Sequence, residues 1–114
     1  MKTKKELKDE FKLLKFRAGI YQIRNKIENK LLLQTTLDLD RACNRDIFQL
    51  KAGMHPNKTL QNDWDQFGSE AFEFNTFDEL KIAETANSQE IKSDLKELLA
   101  MHLIELKMNG RLLY

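Results

Sequence analysis

The chain has 114 residues, of which 41% are hydrophobic and 32% are charged, and its formal net charge is +1. This length suits one compact domain rather than two, and the near-neutral charge argues against a protein that coats nucleic acid by bulk attraction. No apolar run approaches membrane-spanning length, and the single cysteine, Cys43, excludes an intrachain disulfide and favours a reducing cytoplasm.

Residues 1–17 predict an amphipathic helix that leads into the domain. Leu7, Phe11 and Leu14 recur at helical spacing, with lysines and acids at the other positions. The segment is basic at its start but lacks the apolar stretch of a signal peptide.

A β-hairpin is predicted to follow this helix. Residues 18–24 and 30–35 each have strand character, and the apolar run at 31–33 indicates a strand that is covered on both faces. The loop between them, residues 25–29, begins and ends with asparagine, which tolerates left-handed turn positions. We therefore expect two antiparallel strands joined by this loop.

Helical periodicity begins after the hairpin, at residue 37. In the first predicted helix the apolar residues recur every three or four positions: Leu39, Cys43, Ile47 and Leu50. Asp38 near its start suits the helix dipole, and Gly53 is expected to end it. A second helix is predicted after Asn57, whose side chain can cap it, and this helix is expected to stop at Gly68.

The last part of the chain predicts a strand and a long helix. Residues 71–77 have strand character, residues 78–89 are polar and predict a loop, and residues 90–107 carry an apolar helical face. This order predicts an α+β domain over residues 18–108, with a small three-stranded antiparallel sheet flanked by helices. Residues 109–114 are predicted to be a short tail.

The tripeptide Gly-Ile-Tyr at residues 19–21 resembles the opening of the GIY-YIG nuclease family. The family's second tripeptide lies on the neighbouring strand, where this chain has Leu-Leu-Gln at residues 32–34. The resemblance continues in His-Pro-Asn-Lys at 55–58, in Trp64, and in Phe-Glu-Phe at 72–74. The chain looks most like small stand-alone bacterial members and like the catalytic domains of phage homing endonucleases and of the excinuclease C subunit.

This resemblance implies phosphodiester hydrolysis with one divalent metal ion, Mg²⁺ or Mn²⁺. In the family a tyrosine near the attacking water acts as base or orients it, an arginine steadies the phosphate, and a helix-borne glutamate holds the metal. Carried over to this chain, the catalytic candidates are Tyr21 and His55, and the metal candidate is Glu97.

Four positions of the family pattern are substituted. The second tyrosine falls at Leu32, the glycine falls at Gln34, and the helix arginine falls at Ala42. A histidine or tyrosine position falls at Asp46, which puts a negative charge where the phosphate is expected. Because losing groups that act as a unit costs orders of magnitude in rate, the resemblance implies a degenerate active site.

Three hypotheses follow for the function. The first is a cytoplasmic nuclease-fold domain that is catalytically impaired, needs no cofactor and binds DNA weakly, through Arg41, Arg45 and Lys58. The second is an active metal-dependent DNA endonuclease with a divergent site. The third is a protein-interaction module, built on the N-terminal helix, that involves no nucleic acid.

Overall fold

The computed structural model describes residues 17–81 and 87–114. The predicted N-terminal helix therefore lies outside the described residues, except for residue 17, and so do residues 82–86 of the predicted loop 78–89. The ends of that predicted loop are instead the last residues of a strand, Phe72–Glu79, and the first residues of a helix, Ser88–Met108. Within the described ranges, no helix is both long enough and apolar enough to cross a lipid bilayer.

A four-stranded sheet organises the described part of the chain. Strands β1 (Gly19–Asn25) and β2 (Lys30–Thr36) form the predicted hairpin, and β3 (Phe72–Glu79) pairs antiparallel with the other edge of β1. A short strand, β4 (Leu112–Leu113), pairs parallel with β2 and gives the order β3-β1-β2-β4. The three predicted antiparallel strands are thus present, and the predicted tail supplies a fourth strand.

Helices cover both faces of this sheet. Helices α1 (Ala42–Lys51) and α2 (Lys58–Phe67) share a core with Tyr21 and Ile23, which point to one face of β1. The long helix α3 (Ser88–Met108) packs around Ala18 instead and contributes a second, smaller core. Alternation along β1 therefore sends the tyrosine toward α1 and α2, and away from α3.

The start of α1 differs from the prediction. Periodicity placed it at residue 37, whereas the helix begins at Ala42. Asp38 does not serve the helix dipole, because its side-chain oxygen accepts a hydrogen bond from the Asp40 backbone N–H, at 3.2 Å. Its own backbone N–H donates to Thr36 Oγ1 at 3.1 Å. These local bonds hold the segment in turns, as short polar side chains commonly do.

Tyr114 fixes the C-terminal end of the described chain to the sheet. Its backbone N–H donates to the Leu31 carbonyl at 2.8 Å, and its hydroxyl donates to Asp63 on α2 at 2.5 Å. Asn25, which is fully buried, donates to the same hydroxyl at 3.1 Å, and Lys30 Nζ lies 4.6 Å from the centre of the ring. This set of contacts explains why the tail continues the sheet rather than leaving it.

Candidate functional site

A cleft of about 700 Å³ opens where β2 ends and α1 begins. Its walls come from the last residues of β2, from α1, and from the turn that precedes α2. The residues that line it are mostly polar: Tyr21, Gln34, Thr35, Thr36, Asp38, Arg41, Ala42, Arg45, Asp46, Gln49, His55, Pro56 and Asn57. Two acids and two arginines are among them, so the cleft carries charges of both signs.

Asp46 joins the two predicted catalytic residues at the floor of this cleft. Its Oδ2 accepts a hydrogen bond from the Tyr21 hydroxyl, and its Oδ1 lies 2.7 Å from His55 Nε2. The three side chains are buried, with relative exposures of 5% for Tyr21, 5% for Asp46 and 2% for His55. A buried carboxylate requires such partners, since an unpaired one would be costly to desolvate.

The tautomer of His55 follows from its second ring nitrogen. Nδ1 accepts a hydrogen bond from the Asn57 backbone N–H at 3.1 Å, so this nitrogen carries no proton. The ring proton is therefore on Nε2, which donates to Asp46 Oδ1. Both ring nitrogens are committed to protein partners. The imidazole is held as a structural group of the turn and of α1.

The Tyr21 hydroxyl is surrounded by acceptors. Besides the Asp46 carboxylate, Gln34 Oε1 lies 2.9 Å from it. Burial, the hydrogen bond to Asp46 and the negative charge of that carboxylate all raise the pKa of Tyr21 far above its ordinary value. The environment therefore favours the neutral hydroxyl, which donates its proton to the Asp46 carboxylate.

Gln61 on α2 extends the same network one residue further. Its Oε1 accepts from the His55 backbone N–H at 3.0 Å, and its Nε2 donates to the Leu50 carbonyl at 3.1 Å. The amide thus ties the turn that carries His55 to the last turn of α1. Its burial, at 6% exposure, is compensated by these bonds.

Two of the three predicted phosphate-binding residues lie at the cleft. Arg41 and Arg45 are exposed and line it, and in the described part of the chain neither forms an ion pair. Lys58, at the start of α2, is exposed but does not line the cleft. Asp38 and Asp46 contribute negative charges beside the two arginines, so the net positive field in the cleft is small.

The remaining predicted positions divide between the core and the surface. Leu32 is half-buried and packs against the core that contains Tyr21, while Ala42 packs against that core and also lines the cleft. Neither provides a polar side-chain atom. Glu97 is exposed on α3, which packs around the second core, and it does not line the cleft.

Comparison with known proteins places this arrangement in a family. No protein-family model matches the sequence, and no curated protein sequence matches it. Among solved structures, the catalytic domain of the homing endonuclease I-TevI matches with a TM-score of 0.53 and 28% identity, covering 71% of this chain and 87% of that chain. A glutamate-to-alanine mutant of the catalytic domain of the intron endonuclease I-TevI matches with a TM-score of 0.54 and 26% identity, covering 73% and 84%. The chain belongs to the GIY-YIG superfamily.

GIY-YIG nucleases typically depend on a divalent metal ion, and the described residues of this chain show no metal site. In residues 17–81 and 87–114, no group of three or more His, Cys, Asp or Glu side chains could hold a metal ion. Of the two acids in the cleft, Asp46 has both oxygens hydrogen-bonded by Tyr21 and His55, and Asp38 caps its own turn. Glu97, the predicted ligand, lies outside the cleft.

Within this GIY-YIG fold, the role of Asp46 is the feature that sequence reasoning missed. The sequence predicts a charge at Asp46 that opposes phosphate binding, but it does not predict the hydrogen bonds of Asp46 to Tyr21 and His55. The spacing of Asp46 indicates that its side chain is buried. It lies three residues after Cys43 and four before Leu50, on the predicted core face of α1. A carboxylate at such a position needs buried hydrogen-bond donors.

Proposed function

We propose that this GIY-YIG domain binds nucleic-acid phosphates weakly and does not cleave them. The observation that carries the proposal is the buried Asp46 carboxylate, which accepts hydrogen bonds from both Tyr21 and His55. These are the two residues that the family resemblance assigns to catalysis. In this chain their polar atoms are used to hold the fold together.

Hydrolysis of a phosphodiester needs an activated water and a stabilised leaving group. Burial and the Asp46 carboxylate raise the pKa of Tyr21, which disfavours the deprotonated form that a base requires, and both ring nitrogens of His55 are hydrogen-bonded within the protein. Leu32 stands where the family has a second tyrosine and cannot replace either group. None of these three residues is therefore suited to take a proton from the attacking water.

Phosphate binding is supported by the two arginines that line the cleft, Arg41 and Arg45. Arg45 lies in the first turn of α1 and Arg41 immediately precedes the helix, and both side chains line the same cleft. Arginine recognises phosphate oxygens through its planar fork of donors. Because Asp38 and Asp46 offset part of this charge, we expect weak, salt-sensitive binding. The single cysteine agrees with a cytoplasmic setting.

A cleavage assay tests the loss of catalysis. Supercoiled plasmid and labelled single- and double-stranded DNA are incubated with the protein and Mg²⁺ or Mn²⁺, and we expect no nicking above background. Nicking that is abolished by Tyr21→Phe and by Glu97→Ala, but not by Glu105→Ala, would establish the active endonuclease instead. Glu105 is a matched control because it is also an exposed acid on α3.

Fluorescence anisotropy with labelled DNA tests the binding. We expect micromolar or weaker affinity at low salt, and a further loss in the double variant Arg41→Ala, Arg45→Ala. The control Lys92→Ala, Lys96→Ala removes the same charge from α3, on the other face of the sheet, and should bind as the wild type does. Equal effects of the two variants would contradict a site in the cleft. Nanomolar binding at high salt, or no binding at all, would contradict the proposed weak interaction.

A further inference from the structure

Two arginines converge on one side-chain oxygen at the tip of the hairpin. Arg24 Nε donates to Asn29 Oδ1 at 3.2 Å, and Arg111 Nη2 donates to the same oxygen at 3.4 Å. Arg24 belongs to β1, whereas Arg111 lies between α3 and β4. Tertiary structure has therefore brought together two cations that are 87 positions apart in the sequence.

The local charge is not balanced by acids. Glu73 on β3 lies 3.6 Å from Arg24 Nη1, and both of these side chains are 40% exposed. Arg111 has no acidic partner in the described ranges of the chain. The shared acceptor, the amide of Asn29, is neutral. Two guanidinium groups therefore donate to one neutral oxygen, an arrangement that an anion would stabilise.

The fold holds Arg111 in this position. Its backbone N–H donates to the Leu106 carbonyl at 3.0 Å, and the next residue, Leu112, pairs with Lys30 on β2. Its Nε is buried and has no hydrogen-bond partner among the residues described. Buried donors are nearly always satisfied in folded proteins. The buried Nε shows that the inner part of the guanidinium is packed into the protein, which leaves its Nη atoms as the donors at the hairpin tip.

We propose that this hairpin-tip site, formed by Arg24, Asn29 and Arg111, binds a phosphate group. Phosphate presents several charged oxygens, and two arginine forks can each donate to it in pairs. The site is separate from the cleft, because Asn25 and Lys30 pair at the hairpin end of β1 and β2 while Tyr21 pairs with Gln34 further along the strands. The phosphate can come from free phosphate or from a nucleic-acid backbone. The inference does not depend on the function proposed for the cleft.

NMR of ¹⁵N-labelled protein tests this site with inorganic phosphate, titrated against chloride at constant ionic strength. We expect saturable shifts of the Arg24 and Arg111 Nε–H signals and of the Asn29 side-chain amide. Arg111→Gln and Arg24→Gln should each weaken the affinity about tenfold, the loss of one charge-assisted pair. Lys92→Gln, an exposed charge on α3, should leave it unchanged.

The two arginine variants protect the test against a folding defect. Arg111→Gln disturbs a residue next to β4, whereas Arg24→Gln leaves that strand pairing intact, and the dispersion of the amide spectrum shows whether each variant is folded. Absent or unsaturable shifts, or equal shifts with chloride, would overturn the proposal. So would an unchanged affinity in folded Arg24→Gln protein.

A final titration identifies the source of the phosphate. It uses an oligonucleotide without terminal phosphates and the double variant Arg41→Ala, Arg45→Ala, in which the cleft is disabled. Shifts at Arg24 and Arg111 with this oligonucleotide identify backbone phosphate as the ligand. Shifts with inorganic phosphate alone identify free phosphate. Either result upholds the hairpin-tip site, even if the cleft binds nothing.

Discussion

Asp46 connects three parts of the fold through one carboxyl group. It belongs to α1, and its two oxygens accept hydrogen bonds from Tyr21 on β1 and from His55 in the turn before α2. In a buried network of this kind, the loss of one member leaves the others without partners. The fold therefore depends on the Asp46 carboxylate.

Asp46→Asn tests this dependence. An amide carries no charge and has only one acceptor oxygen, so it cannot accept from both Tyr21 and His55 and its bonds lose their charge assistance. We therefore expect the free energy of unfolding to fall by about 2–4 kcal/mol. Urea unfolding followed by the fluorescence of Trp64 measures it. Asp40→Asn is the control, because its ion pair with Arg17 is exposed and should contribute less than about 1 kcal/mol. Equal losses in the two variants would contradict a structural role for Asp46.

Strands β1 and β3 approach each other closely at Gly19. A Cβ atom added there would overlap the Asp78 carbonyl oxygen and would lie 2.9 Å from Glu79 Cα and 3.0 Å from Leu39 Cδ1. The pairing of the two strands also shifts register between Ile20 and Tyr21. Glycine at this position is therefore a steric requirement of the sheet, and it sets the point from which Tyr21 projects.

Gly19→Ala should destabilise the protein by about 3 kcal/mol or more, because two of the three neighbouring atoms belong to the backbone and cannot move aside cheaply. Gly68→Ala is a matched comparison. Gly68 has open space around it but a φ of +85° and a ψ of 164°, a conformation that is essentially confined to glycine, so the expected cost is the strain of that conformation, about 1–3 kcal/mol. Thermal unfolding of both variants ranks them, and a smaller loss for Gly19→Ala would contradict the steric argument.

The helices and the three main strands could be predicted from periodicity, because each presents an apolar face to a core over several turns or alternations. The fourth strand could not. Strand β4 has only two residues, Leu112 and Leu113, which is too short to show an alternating pattern. Its pairing with β2 depends on where α3 ends. The start of α1 was also missed, since Asp38 forms a turn through side-chain bonds that resemble a helix start in sequence.

At the scale of the molecule, the chain's two tyrosines hold separate parts of the structure together. Tyr21 links β1 to α1, and Tyr114 links β4 to α2 through Asp63. Burial and a neighbouring carboxylate raise the pKa of both hydroxyls. The folded protein therefore retains two protons that the unfolded chain releases near pH 10.

This difference predicts the response of stability to alkali. Stability should be fully present below about pH 10 and should fall as the pH rises further, because only the unfolded state loses the tyrosine protons in that range. Absorbance at the tyrosinate band should show no ionised tyrosine in native protein at about pH 10.5, and both tyrosines titrating normally in denaturant. In Tyr114→Phe the band reports Tyr21 alone. Ordinary titration of Tyr21 in this folded variant would contradict the hydrogen bond to Asp46.

The candidate site was only partly accessible from sequence. Tyr21 and His55 could be proposed from the family resemblance, but their common partner lies 25 residues from one and 9 from the other, and only the packing of α1 on the sheet brings the three together. The pair Arg24 and Arg111 is more remote still. Contacts of this kind follow from tertiary structure, and local periodicity does not encode them.

The close approach at Gly19 has a consequence for how the signature tripeptide is interpreted. A lineage of such domains could abandon phosphodiester chemistry, yet mutation could not readily remove this glycine without opening the sheet. Selection for folding alone would therefore preserve the first letter of the motif long after selection for cleavage had ended. The tripeptide alone is therefore evidence of the sheet geometry, and the residue that faces the tyrosine hydroxyl from α1 is the better place to look for differences in chemistry among such domains.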